Sequence, residues 1–523
     1  MGDIKGAGTA ADIAVGIETR IRVKSANPEL RARFLSASYA PYEARIEVDL
    51  AGAAPRDSTA AWQAFRTAEA IRARSLTDRL AHAAHNVHVP RDAELESLRE
   101  MMTALQVELE SRMRQPSAEG ESQTLEVRRM IDETRARLET RMLTQRAVVA
   151  NSRLAIPEAR AEVQAGLPAD TAVLAYFVGD LRSHAWLLTR SDLRHAVLPG
   201  RRALQNLVNT FVERQRSGVA GSGDSVFAPL LGNLLSGVGA KRLLILPDGP
   251  LNGLPFAALP LPHGAPRELL IDRFVITAAP SLALAMQSPQ TRAPEPLRVA
   301  VISDPVYTPD DRRLTVAAGH SATFRGADAA PERLARLPYS AIEARAVVRA
   351  FEGAEVIELA GFNATARRVI ELPSRELAVL HFATHAVARR DAPEQSALFL
   401  SEYAADGTPL PVDRLTADDI TRSGLRADVV VLSGCATGDG RELRGEGVLG
   451  LTYGFLANGS HTVVASLWPV EDALTARFME EFYTAYRATG RTADALRTAQ
   501  MRTRASTNSS VWASFVVRAN GLP

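Results

Sequence analysis

Residues 429–438 read Val-Val-Val-Leu-Ser-Gly-Cys-Ala-Thr-Gly: an apolar run, then small residues around Cys435, the one cysteine of the chain. Fifty positions earlier, Leu380-His-Phe-Ala-Thr-His-Ala386 is a second apolar run, and it ends at His385. Short apolar, β-branched runs closed by Ser and Gly predict buried strands. In an open α/β sheet, ligands sit beyond the carboxyl ends of the strands. If these two strands are neighbours, a thiol and an imidazole emerge on the same rim. A thiol is a poor nucleophile until ionised, so an imidazole in reach supplies the activation and can later protonate a leaving amine. Ser433, Gly434, Ala436 and Gly438 are small enough to let a substrate carbonyl approach backbone N–H groups that would stabilise its oxyanion. The competing reading of Cys435 is a buried free cysteine acting as a small hydrophobe.

Around these runs the pattern continues. Val299–Ile302, Glu355–Leu359, Ala378–Phe382 and Val463–Leu467 are further β-type runs separated by helical segments. An earlier series comprises Ala172–Val178, Ala185–Thr189, Leu243–Leu246 and Phe274–Thr277, and the proline-rich stretch Gln287 to Pro296 separates the two series. Strands alternating with helices predict an α/β fold with a mainly parallel sheet. Ser340-Ala-Ile-Glu343 has capping-box form ahead of Val347, Val348 and Phe351. Asp472 is placed to cap a helix with Leu474, Phe478, Phe482 and Tyr486 on one face. Pro305 to Arg336 has little periodicity and reads as a long surface loop, in which a self-processing site is conceivable.

Residues 1–155 read as helical. Trp62, Phe65, Ala68, Ile71, Leu76 and Leu80 recur at helical spacing. Leu95, Leu98, Met102, Leu105 and Leu109 form one stripe, and a second run carries Val127, Ile131, Leu138 and Met142. Two long amphipathic helices about a short polar loop make a helical hairpin, whose stripe is expected to pack within the chain. No clean repeat is legible.

The 523 residues carry 61 basic and 60 acidic side chains, net +1, so no nucleic-acid footprint is visible. A single cysteine excludes an intrachain disulfide framework and fits a reducing compartment. With no signal-like start and no apolar stretch long enough to span a bilayer, a cytoplasmic protein without membrane contact is expected. No cofactor is called for. His381 shares a strand face with His385, which leaves catalysis or a metal pair open, but its place inside the strand favours a satisfied core histidine. His82, His85 and His88 have helical spacing without a cysteine or clear carboxylate partner, so no metal site is assigned. Gly438-Asp-Gly440 and Gly445-Glu-Gly447 lack the Gly-Lys-Ser/Thr of a phosphate loop, and the second is expected to turn the chain.

Taken in order, His-Phe-Ala-Thr-His at 381–385, Leu-Ser-Gly-Cys-Ala-Thr-Gly at 432–438, Gly-Glu-Gly at 445–447 and Val-Val-Ala-Ser-Leu-Trp at 463–468 resemble the CHAT family. These are caspase-like peptidase domains usually attached to tetratricopeptide repeats. Leu-Pro-Asp-Gly-Pro-Leu-Asn-Gly-Leu-Pro-Phe-Ala-Ala-Leu at 246–259, Ala-Pro-Ser at 279–281 and Arg336-Leu337-Pro338 fit the same family. The resemblance covers roughly residues 160 to 523, and the His-to-Cys spacing of 50 is the one expected of caspases. It implies two caspase-like halves after the helical region (1–155), which fits the family only loosely: a pseudo-half without catalytic residues (156–290) and a working half (297–523). By the same resemblance Cys435 is the nucleophile, His385 the general base and acid, and the N–H groups of Cys435 and Ala386 the oxyanion hole. The family usually has glycine after the histidine; Ala386 departs from that, and alanine tolerates positive φ poorly.

For the residue before the cut, Asp439, Glu446, Glu471 and Asp472 lie on loops expected near the rim. Asp439, Glu446 and Asp472 are taken as pocket candidates that would favour arginine or lysine. Turn and cap roles, and an apolar pocket for leucine or methionine, are the competing readings. The resulting expectation is a regulated cysteine endopeptidase acting on a protein partner, with a protein activator engaging the helical region. CHAT peptidases occur in bacterial defence and cell-death systems, where the cut releases an effector such as a gasdermin-like pore former. A catalytically silent scaffold of the same fold is the alternative from another class, and a hydrolase or transferase of non-peptide acyl groups a third.

Overall fold

The computed structural model describes residues 4–24, 39–51, 57–74, 76–77, 80, 93–114, 120–144, 156–218, 228–231, 233–261, 268–287, 297–314, 334–389, 392–410, 414–434, 437–438, 441–443 and 447–523. The helical region contributes α1 (Ile4–Lys24), α2 (Ala40–Leu50), α3 (Ser58–Ile71), α4 (Ala93–Arg114) and α5 (Gly120–Thr144). The strands that follow are β1 (Thr171–Val178), β2 (Arg182–Leu188), β3 (Leu193–Pro199), β4 (Arg242–Leu246), β5 (Val275–Ala278), β6 (Arg298–Ser303), β7 (Glu355–Ala360), β8 (Leu377–Ala383), β12 (Val429–Leu432), β15 (Thr462–Ser466) and β16 (Phe515–Ala519). Smaller pieces are β9 (Ala386–Val387), β10 (Ala397–Phe399), β11 (Arg414–Thr416), β13 (Arg441–Leu443) and β14 (Gly447–Leu449).

Among the described residues, eleven strands form one mixed, mainly parallel sheet in the order β3-β2-β1-β4-β5-β16-β15-β12-β8-β6-β7. The caspase-like α/β class expected from the sequence, with helices flanking the sheet and a helical N-terminal region, is the architecture found. All the long β-type runs named from the sequence are strands; β3 and β16 have no counterpart among those runs. β16 lies between the two series, antiparallel to β15 and, through Arg518 opposite Ala278, parallel to β5.

The continuous apolar runs follow from burial on both faces. In β1, Ala172, Leu174, Tyr176 and Val178 enter one core, while Val173, Ala175 and Phe177 enter the core beneath the N-terminal helices. In β12, Val430 and Leu432 face one core and Val429 and Val431 the other. Among the described residues, α6 (Ser340–Ala350) and α7 (Asp472–Thr489) pack on this second layer, the latter through buried Phe478, Met479, Phe482 and Tyr483, and the helix Thr492–Arg504 joins them through Ala495, Leu496 and Ala499.

Three local expectations are corrected. The stripe from Trp62 to Leu80 is not one helix: α3 ends at Ile71, the chain turns at Arg72, and Ala73 takes a left-handed φ of 44°. Trp62, Phe65, Ala68 and Ile71 therefore pack on β1 and β2, whereas Ala73 and Leu76 enter the core shared with β6, β8 and β12. Ser340 and Glu343 form no capping box. Tyr339 holds the cap position, and Glu343 is buried with one carboxylate oxygen 2.9 Å from Nε2 of His381. Asp472 does not cap α7 either; Glu471 occupies that position without a side-chain cap.

The helical hairpin is present, with Met102 and Leu105 of α4 against Val127 and Ile131 of α5. The helical region is tied to the first strand series at its rim. The Tyr39 hydroxyl donates to Asp248 at 2.8 Å, the same carboxylate oxygen accepts the Val178 N–H at 2.7 Å, and Arg72 donates to the Pro247 carbonyl. Asp248 thus stands just past β4, as Ser433 and Gly434 stand just past β12. Among the described residues no helix is long and apolar enough to cross a membrane.

Candidate active site

β8 and β12 are parallel neighbours, with Phe382 opposite Leu432, so the loops after them leave the sheet side by side. His385 and Ser433–Gly434, the residues before Cys435, are therefore delivered to one rim. Cys435, Asp439 and Glu446 themselves lie outside the described residues, as do His82, His85 and His88. The described flanks of Cys435 are tightly held. Ser433 donates through both its N–H and its hydroxyl to the Phe382 carbonyl, each at 3.0 Å. The buried Ser466 hydroxyl donates to the Gly434 carbonyl at 2.6 Å, and the Thr437 hydroxyl to the Leu432 carbonyl at 2.9 Å. The Gly438 N–H closes the turn on the Ser466 carbonyl at 2.8 Å. Beyond it, β13 and β14 pair antiparallel with Leu443 opposite Gly447; Gly445 and Glu446, expected to turn the chain, lie outside the described residues.

His385 is half-buried at the end of β8. Its N–H donates to the Tyr307 hydroxyl at 3.2 Å, and the two rings lie 5.1 Å apart. Burial holds the Tyr307 hydroxyl well above its ordinary pKa, so it stays neutral. Nε2 of His385 lies 2.7 Å from the Ala335 carbonyl. A carbonyl only accepts, so the proton sits on Nε2 and Nδ1 is left as the basic nitrogen of the neutral ring. That assignment is what a general base requires.

Ala386 opens β9 opposite Leu398, and its φ is not positive. The Phe399 N–H donates to the His385 carbonyl at 2.9 Å. In an antiparallel ladder hydrogen-bonded and non-hydrogen-bonded pairs alternate, so the backbone of Ala386 faces away from β10. Alanine therefore meets no left-handed strain at the position where the family usually has glycine.

Asp472 is half-buried and accepts the Tyr339 N–H at 2.8 Å. Burial raises its carboxyl above the ordinary value. The Tyr339 N–H and the His385 imidazole act against that rise, while the charges of Glu343 and Asp304 add to it. Asp472 and His385 thus share one electrostatic environment. His381 is fully buried, with Nδ1 2.9 Å from the Tyr483 hydroxyl and Nε2 facing Glu343, and is a partnered core histidine. No group of three or more His, Cys, Asp or Glu able to hold a metal occurs among the described residues.

Ala335, Tyr307 and Ser466 are not among the site residues expected from the sequence. A backbone carbonyl leaves no residue-type signal, and Tyr307 lies in the aperiodic stretch after β6.

A family model for the CHAT domain matches residues 223–520. Tetratricopeptide repeat protein 28 of Homo sapiens is 27% identical over 339 residues, which is 56% of this chain but 13% of that protein. Its Mus musculus counterpart is 26% identical over the same shares. The chain therefore spans only a small part of the length of these relatives. Among solved structures, the Arg-specific cysteine proteinase gingipain R aligns at TM-score 0.35 and 9% identity, over 61% of this chain and 75% of that one. The Saccharomyces cerevisiae separase–securin complex aligns at TM-score 0.40 and 10% identity, over 95% of this chain and 38% of that one. The family match takes in more than half of the chain, with both strands and both loops of the candidate site inside it, and the chain belongs to the CHAT-domain family.

Proposed function

We propose that the protein is a cysteine endopeptidase with Cys435 as nucleophile and His385 as general base and acid. The observation that supports this reading is the Nε2–H of His385 on the Ala335 carbonyl, which leaves Nδ1 as the basic nitrogen on the rim where β12 ends and Gly434 stands just before Cys435. In the proposed reaction His385 takes the thiol proton and the thiolate attacks the scissile carbonyl carbon. The oxyanion is met by the N–H groups of Cys435 and Ala386. Collapse breaks the C–N bond as the imidazolium gives its proton to the leaving amine. Water activated by the same imidazole then hydrolyses the thioester.

Asp472, whose carboxyl feels the charge of His385, is proposed to line the pocket and supports arginine or lysine before the cut; Asp439 and Glu446 are proposed alongside it. The substrate is a protein, and the helical region, docked on the rim of the first strand series, is proposed to receive an activator. The proposed divisions are 1–155, 156–290 and 297–523. Family resemblance supplies the setting, a defence or cell-death pathway with an effector such as a gasdermin-like protein as target.

The test is turnover of fluorogenic peptides that vary the residue before the cut, together with labelling by a thiol-reactive peptide warhead. Cys435→Ala and His385→Ala serve as controls. Cleavage after Arg or Lys that both variants abolish is expected. Neither turnover nor labelling of the wild type, with candidate partners present, would leave the protein-binding scaffold instead.

A further inference from the structure

The carbonyl on His385 belongs to an irregular segment, so something else must hold it in place. Residues 335–340 have no strand partner, yet they are pinned at several points, and most of these lead to one residue. Asp304 follows β6 and is buried, with a left-handed φ of 47°. Its carboxylate takes the Arg336 guanidinium as a fork, Nε at 2.9 Å and an Nη at 2.8 Å. Its N–H donates to the Ser340 hydroxyl at 3.1 Å, and that hydroxyl donates to the Leu337 carbonyl at 2.6 Å. Arg313 closes the group from the other side, 3.0 Å from the carboxylate and donating to the Asp304 carbonyl at 2.8 Å. Ala335 is the residue before Arg336, so the peptide whose oxygen meets His385 adjoins the fork.

We propose that Asp304 is a positioning residue for His385: by clamping Arg336 and Ser340 it fixes the Ala335 carbonyl on Nε2 and so keeps Nδ1 as the base. This rests on the peptidase reading above. A two-point fork fixes direction as well as distance, which a lysine's single ammonium does not. The left-handed backbone aims both the N–H and the carboxylate of one residue at the segment. Asp and Asn are the non-glycine residues that accept that conformation most readily. The same segment is held at Tyr339 by Asp472, so the candidate specificity acid and the base share a support.

The test compares Arg336→Ala, Arg336→Lys and Asp304→Asn with wild type in the full chain. The Arg336 side chain is 46% exposed, and its removal leaves Asp304 paired with Arg313, so the fold is kept. Asp304→Asn keeps the tolerated backbone and loses the charge. The main readout is the pH profile of Cys435 alkylation by iodoacetamide, which needs no peptide turnover, with His385→Ala as reference. Wild type is expected to show a thiolate populated below the ordinary thiol value of about 8.5. Arg336→Ala should move that limb toward the His385→Ala profile, and Arg336→Lys should fall between. For a cleaved peptide, kcat should fall about 10–100-fold with KM within about twofold, the scale of a misplaced catalytic group. Profiles of the Arg336 and Asp304 variants superimposable on wild type overturn the positioning role and leave the peptidase reading standing. A wild-type profile identical to that of His385→Ala overturns the dyad itself.

Discussion

A β-carbon added to Gly434 would stand 2.4 Å from the carbonyl oxygen of Thr384. The oxygen is main chain, on the residue just before His385, so it cannot swing away as the end of a side chain could, and Gly434 stands just before Cys435. Thr384 is buried, and the Gly434 carbonyl is held by Ser466. The close approach of the two loops therefore depends on the missing side chain. Gly434→Ala is expected to push the cysteine loop off the histidine loop. It should cost about 1–3 kcal/mol in denaturant unfolding, the usual range for overpacking. Peptidase activity should fall on the order of 100-fold, as misplacements of about 1 Å do. Unchanged activity would mean that the two loops do not act together.

Asp472 separates specificity from stability. Burial raises its carboxyl in the folded chain, so the ionised form is the costly one. The sign follows: relative to the unfolded chain, this group takes stability away as pH rises through the unfolded and then the folded value, and costs nothing below both. Asp472→Asn can still accept the Tyr339 N–H, so its thermal midpoint at about pH 7 should equal or exceed wild type, with the gap closing toward acid. Its kcat/KM on Arg or Lys peptides should drop by roughly 10-fold or more, the loss of a charged pair, while Leu peptides are spared. Equal losses on both peptide classes would make Asp472 a support for Tyr339 alone.

His381 and His385 sit four residues apart and should behave in opposite ways. His381 is enclosed by Tyr483 and Glu343, and Glu343 is itself buried. His381→Leu strands the Glu343 carboxylate, so a loss of about 3–5 kcal/mol is expected in denaturant titrations. Replacing both residues by leucine should recover part of that, because no lone charge is then buried. His385→Ala, at a half-buried rim, should cost about 1 kcal/mol or less while abolishing turnover. If His381→Leu were as stable as wild type, the buried pair would carry no structural weight.

What the sequence could reveal depended on where each residue's partners lie. β8 and β12 were legible because burial on both faces makes them unbroken apolar runs. Their adjacency was not legible, since pairing across 50 residues has no local signature. β3 mixes Arg194 and His195 with apolar residues at the sheet edge, and β16 is a short run at the far end of the chain, so neither stood out. At Ser340 and Glu343 a sound local motif lost to tertiary partners: Asp304 took the hydroxyl and His381 the carboxylate. The helical stripe beyond Ile71 failed likewise, because Leu76 has its own core to enter. His385 was legible from residue type, while its orientation comes from a carbonyl that any residue could have supplied.

The docking of the helical region should weaken in acid. Nδ1 of His184 in β2 lies 3.1 Å from Nε2 of His195 in β3. On its other side His184 faces Glu47 of α2 at 3.2 Å, and Glu47 also pairs with Arg182 at 2.6 Å. Arg194, tied to Asp192, and Asp57 complete the charged groups around this cleft of about 1170 Å³, which lets protons reach the pair. Burial, reinforced by the charge of His184, lowers His195 to about 4. Burial also lowers His184, against the pull of Glu47. Depressed imidazoles stabilise the fold in full above their unfolded value of about 6.5, and the contribution is lost as pH falls through about 4. Carboxylates elsewhere titrate in part of that window, so the informative quantity is a difference. The thermal midpoint of wild type should fall more steeply between about pH 7 and pH 5 than that of His195→Gln, which cannot take up the proton. Trp186 packs 5.5 Å from the His195 ring, so its fluorescence should report the same transition locally. Parallel curves for the two proteins would show that the histidine pair does not couple the helical region to pH.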